Sequence, residues 1–216
     1  MKIHIPIKEK STRVPNKNFR DFHGVPLYQH TLNKLKDYDV YIDTDCDELF
    51  HKLSGHKNIT IYKRKKELIP PEITVNQIIE DFLNEYVFDN DEIIVHMYVT
   101  SPFLKTSTIK KAIKRMVDEK LSGIMGAVEV NQRFWKKDNL CWMPLNHDPK
   151  NLLPTQDLKP LYFDSAFYIF TKKSFMVNKN RVTDNFGFYI IEPPEDLDID
   201  TMIDWDLCYQ LGKVIK

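Results

Sequence analysis

The chain has 216 residues, 42% hydrophobic and 29% charged, which is enough apolar material for a sizeable α/β core in water. Lysine plus arginine equals aspartate plus glutamate at 31 each, so the formal net charge is zero; this argues against non-specific nucleic-acid binding as the main activity and makes any basic site local. Cys46, Cys141 and Cys208 are far apart, make no metal spacing and read as reduced thiols, and no apolar run approaches membrane-spanning length. The first residues lead directly into a strand, so a cytoplasmic protein with no membrane partner is expected.

The apolar run Ile3-His4-Ile5-Pro6-Ile7 reads as a buried first strand. A basic, polar loop follows at the strand's carboxyl end, where open α/β sheets bind ligands. Lys8, Lys10, Arg13 and Lys17 place four cations in ten residues, with Ser11, Thr12 and Asn18 as hydrogen-bond donors between them. That composition suits a polyanion such as a triphosphate. No glycine falls before Gly24, so this is not a Walker loop, and side-chain cations must do what backbone amides do there. A short helix is expected over 27–36, a second strand over 39–43, a helix over 47–54 and a third strand over 59–62. The basic cluster Lys63-Arg64-Lys65-Lys66 ends that strand. Residues 75–85 have the apolar spacing of an amphipathic helix, through Ile78, Ile79, Phe82 and Leu83. Residues 92–99 are nearly all apolar, as a central parallel strand should be, and His96 within them reads as a core histidine. Ser107 is expected to cap a helix running to Val117, and 123–130 to form a fifth strand.

Residues 131–163 change character. Phe134, Trp135, Trp142, Met143, Leu145, Leu152 and Leu153 are scattered among polar residues without helical period. They must be buried, either as a flap folded back on the same subunit or in an interface, whose cores favour aromatic residues and Met. Near the end, Asp198 and Asp200 stand two apart in Glu-Asp-Leu-Asp-Ile-Asp-Thr. In extended chain such a pair shares one face and can hold a hard divalent cation. Asp200 could equally cap the last helix, expected over 202–211.

Five separated segments, in order, resemble the cytidylyltransferases that activate sialic acid and related nonulosonic acids. Pro6, Lys8, Ser11, Val14-Pro15, Lys17-Asn18 and Gly24-Val25-Pro26-Leu27 follow that family's opening signature. Thr44-Asp45 with Arg64, then Thr100-Ser101-Pro102, then Thr155-Gln156-Asp157-Leu158 with Phe163-Asp164-Ser165-Ala166-Phe167-Tyr168, and finally Asp198-Ile199-Asp200-Thr201 continue it. The chain departs from the family pattern at Lys8, Glu9, Lys10, Thr12, Lys65, Tyr98, Thr155, Asp164 and Ser165. The resemblance implies a three-layer α/β/α sandwich with a mostly parallel, Rossmann-like sheet of nucleotide-diphospho-sugar transferase type, one domain over 1–216. It implies a homodimer paired through 131–163. It implies transfer of CMP from CTP to an acidic sugar, or to a Kdo-like acid, with a non-catalytic binding protein as the rival. Lys8, Lys10, Ser11, Arg13, Lys17, Asn18 and Arg64 would contact the nucleotide, although Arg64 reads equally as a solvated basic turn. Gln156, Asp164 and Ser165 would meet the sugar. Asp198 and Asp200 would hold Mg²⁺, with Lys17 and Asp200 as the catalytic pair.

Overall fold

The structure, a computed structural model, describes residues 1–215; of the expected 1–216 domain, Lys216 lies outside the described residues. The strands are β1 (Lys2–Ile7), β2 (Asp21–Phe22), β3 (Val25–Pro26), β4 (Val40–Thr44), β5 (Ile59–Lys63), β6 (Ile93–Met97), β7 (Gly123–Val130), β8 (Trp135–Asp138), β9 (Cys141–Pro144), β10 (Leu161–Thr171) and β11 (Phe186–Ile190). The helices are α1 (Leu27–Leu32), α2 (Asp47–Leu53), α3 (Val75–Glu85), α4 (Thr106–Asp118), α5 (Lys172–Asn178) and α6 (Met202–Val214). Seven strands form one sheet in the order β11-β7-β10-β6-β1-β4-β5. All run parallel except β10, which is antiparallel to both its neighbours. The mostly parallel sheet expected from the sequence is therefore present, with helices on both faces.

Alternation along β1 shows how the layers form. Ile3, Ile5 and Ile7 are buried on one face with Leu32 of α1, Leu49 and Leu53 of α2, and Ile109, Ala112 and Met116 of α4. His4 is buried on the other face and stacks on Phe82 of α3 at 4.3 Å. Ile79, Phe82 and Leu83 of α3 and Phe175 of α5 fill that second core. A third cluster joins Val14, Phe22 and Leu27 to Ile199, Trp205 and Cys208. It attaches the end of the chain to the loop after β1.

The chain leaves β1 for β4 and β5 on one side, then returns to β6 on the other. The carboxyl ends of β1 and β6 therefore flank the point where strand order reverses, the preferred ligand site of such sheets. Two local expectations are corrected. The helix expected over 27–36 ends at Leu32 and is followed by turns at 33–34 and 36–37. Helix α4 is not capped by Ser107: it begins at Thr106, its N-cap position is Lys105 without a side-chain cap, and the Lys105 amide donates to Glu195 Oε2 at 2.9 Å. A carboxylate brought from elsewhere in the chain satisfies that helix end, which a local reading cannot see. The irregular segment also ends early, because Leu161 already pairs with Val130 in the sheet.

His4 and His96 are register partners on adjacent strands, and both are fully buried. Their Nδ1 atoms are 3.0 Å apart, and His4 Nε2 lies 3.1 Å from the Tyr62 hydroxyl. His96 Nε2 is buried without a partner among the described residues. Burial, with Arg64 nearby, pushes the His4 pKa down to about 3. Burial, with His4 and Arg181 adding repulsion, holds His96 well below its ordinary value. The folded protein keeps both rings neutral, whereas the unfolded chain protonates them below about 6.5. The stabilisation is therefore complete above that pH and is lost as pH falls, at about 1.4 kcal/mol per pH unit for each proton involved. The urea midpoint should drop between about pH 7.5 and about pH 5. The drop should be smaller in His96→Gln; the same slope in both proteins would show that other groups control acid sensitivity.

Candidate active site

The loop after β1 is shaped by short-range constraints. Val14 is fully buried, and Asn16 adopts the left-handed conformation that Asn tolerates best among non-glycine residues. A single 3₁₀ turn, Lys17–Phe19, follows. Asn18 is buried and donates from Nδ2 to the Lys8 carbonyl at 2.8 Å, which closes the loop across its base. Around these anchors, Lys8, Lys10 and Arg13 remain exposed and Lys17 is half-buried. All four, with Ser11 and Asn18, line a cleft of about 530 Å³ at the carboxyl ends of β1 and β6.

Asp198 and Asp200 line the same cleft from the opposite side. Ile199 between them is fully buried, so the two carboxylates face away from it together. The Ile199 amide donates to the Thr100 carbonyl at 2.9 Å, and Ser101 Oγ donates to Asp198 Oδ1 at 3.2 Å. Arg13 Nη2 reaches Asp200 Oδ1 at 2.8 Å, and Lys17 Nζ lies 3.5 Å from the same atom. Lys17 Nζ also donates to the Ile199 carbonyl at 2.5 Å. Asp200 does not cap α6. Thr201 does, in a reciprocal box with Asp204, whose carboxylate also accepts from the Asp200 amide at 3.1 Å. Asp204, which the sequence left without a role, thus braces the acidic segment.

Among the described residues, no group of three or more His, Cys, Asp or Glu side chains could enclose a metal. Two carboxylates on one wall nevertheless fit Mg²⁺, which uses one or two protein carboxylates and completes its shell with phosphate oxygens and water. Each aspartate has a second oxygen, Oδ2, that makes no hydrogen bond among the described residues.

Arg64 is not a solvated turn. It is buried at the cleft wall, and its Nε donates to Asp43 Oδ1 at 2.8 Å. Its Nη1 and Nη2 are buried with no hydrogen-bond partner among the described residues, an unusual state for buried donors beside a cleft. Burial pushes the Asp43 carboxyl above its ordinary range, and the Arg64 guanidinium opposes that shift.

The sugar-contact residues expected from the sequence are not together. Asp164 lies in a second, neighbouring cavity, where its carboxylate accepts from the Tyr168 hydroxyl. Ser165 Oγ is 3.4 Å from the Asp196 carbonyl and lines neither cavity. Gln156 is exposed on the Thr155–Asp157 turn, away from both. Three side chains that the sequence reading gave no site role do matter here. Asp43 is visible only through its pairing with Arg64. Tyr98 lines the cleft, and Arg181 Nη1 donates to its hydroxyl at 2.6 Å.

The fold and the cleft together define a doubly wound α/β protein whose switch point carries a cationic loop and two carboxylates. The cytidylyltransferase family profile matches residues 4–209, and the chain belongs to that family. Its relatives include the N-acylneuraminate cytidylyltransferase of Streptococcus agalactiae serotype III (strain NEM316), 27% identical over 211 residues, covering 93% of this chain and 50% of the relative. The pseudaminic acid cytidylyltransferase of Campylobacter jejuni serotype O:2 is 23% identical over 224 residues, covering 97% and 95%. The chain thus spans about half the length of the N-acylneuraminate enzymes and nearly all of the pseudaminic acid enzyme. A solved CMP:2-keto-3-deoxy-manno-octonic acid synthetase in complex with CTP shares the fold, with TM-score 0.65 and 13% identity over 98% of each chain. The Francisella tularensis 2-C-methyl-D-erythritol 4-phosphate cytidylyltransferase does so with TM-score 0.69 and 13% identity, over 97% and 99%.

Removing one member of a buried ion pair strands the other. Asp43→Ala should therefore destabilise the protein by about 3–5 kcal/mol in chemical denaturation, with Asp43→Asn costing less because it keeps an acceptor. An unchanged midpoint for Asp43→Ala would mean that Arg64 is held by something else.

Proposed function

We propose that this protein transfers CMP from CTP to an acidic sugar of the nonulosonic type, releasing pyrophosphate. The observation that carries the proposal is the single cleft in which Lys8, Lys10, Arg13 and Lys17 face Asp198 and Asp200. The names of the relatives favour CTP and a nonulosonic acid over other pairs.

The sugar hydroxyl oxygen bonds to the α-phosphorus as the bond from that phosphorus to the pyrophosphate oxygen breaks. Little covalent chemistry falls to the protein in such a transfer; positioning and charge neutralisation dominate. Lys8 and Lys10 are free of ion pairs among the described residues and reach the outer phosphates. Arg13 and Lys17 exchange Asp200 for phosphate oxygens as the nucleotide enters, and Lys17 neutralises charge on the leaving group. Ser11 and Asn18 add hydrogen bonds, and the buried Nη1 and Nη2 of Arg64 take an acceptor of the nucleotide. Asp198 and Asp200 would hold Mg²⁺, and a bound Mg²⁺ would supply Lewis-acid stabilisation of the phosphate charge and a lower pKa for the attacking hydroxyl. CTP and three free thiols suit a cytosolic setting. No helix among the described residues is long and apolar enough to cross a membrane.

The β8–β9 hairpin and its flanks expose Trp135, Trp142, Met143, Leu145, Leu152 and Leu153. So much apolar surface on one projection favours a homodimer paired through this segment. Wild type should sediment as a dimer and Trp142→Ser with Leu153→Ser as a monomer. A monomeric wild type at micromolar concentration would remove the interface.

The reaction is tested by pyrophosphate release with Mg²⁺ and each of the four nucleoside triphosphates, against N-acetylneuraminate, pseudaminate and 2-keto-3-deoxy-manno-octonate. Release is expected with CTP and one acid, and Asp200→Ala should abolish it while the far-ultraviolet spectrum is unchanged. Release at near-normal rates from Asp200→Ala would overturn the metal assignment. Absence of any nucleotide binding would overturn the reaction.

A further inference from the structure

A second cavity of about 470 Å³ opens beside the nucleotide cleft, and Val75 lines both. It is built where β7, β10 and β11 meet the start of α3 and the loop after α5. Among its lining residues Arg181 is the one cation and Asp164 the one carboxylate.

Arg181 is fixed from three directions. Its guanidinium lies 3.9 Å over the Tyr168 ring, its Nη1 donates to the Tyr98 hydroxyl at 2.6 Å, and its backbone amide donates to Asn76 Oδ1 at 3.2 Å. Stacking uses one face of the group and Tyr98 uses one donor. The edge formed by Nε and Nη2 makes no hydrogen bond among the described residues. A guanidinium edge presents two parallel N–H donors at the spacing of a carboxylate's oxygens, and a pre-fixed one loses little side-chain freedom on binding. Asp164 already accepts from Tyr168, and it can accept further hydrogen bonds only from donors such as sugar hydroxyls. The cavity therefore offers one anion-binding edge and one hydroxyl acceptor.

We propose that Arg181 is the specificity-determining residue for the acceptor, binding the sugar's carboxylate through its Nε–Nη2 edge in this second cavity. This rests on the CMP-transfer reading above. A neutral sugar would leave that half-buried edge unpaired, which disfavours its binding. The Tyr98 bond ties the anchor to the nucleotide cleft, so the acid group and the α-phosphate are referred to one wall.

The test is titration calorimetry of wild type, Arg181→Gln and Arg181→Lys, each with Mg²⁺ and the unreactive α,β-methylene analogue of CTP. N-acetylneuraminate, pseudaminate, 2-keto-3-deoxy-manno-octonate and the carboxamide of each are the ligands. Wild type should bind one acid in preference to its carboxamide. Arg181→Gln should bind that acid at least about tenfold more weakly and lose the preference over the carboxamide. Arg181→Lys should recover part of the affinity, with the nucleotide analogue bound within about twofold by all three proteins. Wild-type acid affinity in Arg181→Gln, a retained preference for the acid, parallel loss of acid and nucleotide, or no acid bound by wild type would each overturn the proposal. Failure of CMP transfer itself looks different: the nucleotide analogue would not bind and no pyrophosphate would form.

Discussion

The site depends on where Ile199 is buried. Its side chain belongs to an apolar cluster with Val14 from the loop after β1 and Trp205 from α6, so one packing event joins three distant stretches. Because side chains alternate in extended chain, burying Ile199 turns Asp198 and Asp200 to the cleft. Burying Val14 leaves Arg13 on the cleft side of the loop. The backbone of Ile199 is fixed as well, its amide on Thr100 and its carbonyl on Lys17. Cations and carboxylates are thus brought together by apolar packing and main-chain hydrogen bonds. Their own attraction contributes little, since Arg13 and Asp200 are both substantially exposed and such pairs are weak in water.

That weakness suits a binding site. Arg13 and Lys17 converge on one oxygen of Asp200, which keeps opposite charges paired in the cleft. A triphosphate brings several more acceptor oxygens than one carboxylate offers. On the proposed CMP transfer, entry of a nucleotide with its cation would therefore exchange weak pairs for stronger ones without exposing an uncompensated charge. The contrast with Arg64 is instructive. Its pair with Asp43 is buried on both sides, so breaking it is costly, and the pair acts as a rigid part of the wall.

Much of this was legible in the sequence, for local reasons. Periodicity gave α3 and β7 at their observed bounds, and the basic loop after a buried strand gave seven cleft-lining residues. The two aspartates were legible because their alternation is a property of adjacent residues. What was not legible depends on chain crossings. Arg64 looks like part of a surface basic run until β5 is laid beside β4, which places Asp43 within reach. Glu195 closes the start of α4 from 90 residues away, so Ser107 was the wrong cap for a reason no local rule contains. The antiparallel direction of β10 carries Asp164 into the second cavity and leaves Gln156 outside it.

The departures from the family pattern acquire a physical meaning in the same way. Tyr98, one of those departures, packs against the second core but has a polar role as well. It lies mostly buried, yet its hydroxyl is at the cleft and accepts from Arg181. Burial pushes that hydroxyl's pKa up, with the guanidinium working against the shift, so the phenol stays protonated and neutral. A neutral acceptor leaves the positive charge of Arg181 uncompensated at its open edge. Asp164 makes no ion pair with it among the described residues: that carboxylate accepts from the Tyr168 hydroxyl, while the Tyr168 ring covers the guanidinium face. Two departures that look unrelated along the chain, Tyr98 and Asp164, thus meet around one cation together with Tyr168, and their combined effect is to keep it oriented and available.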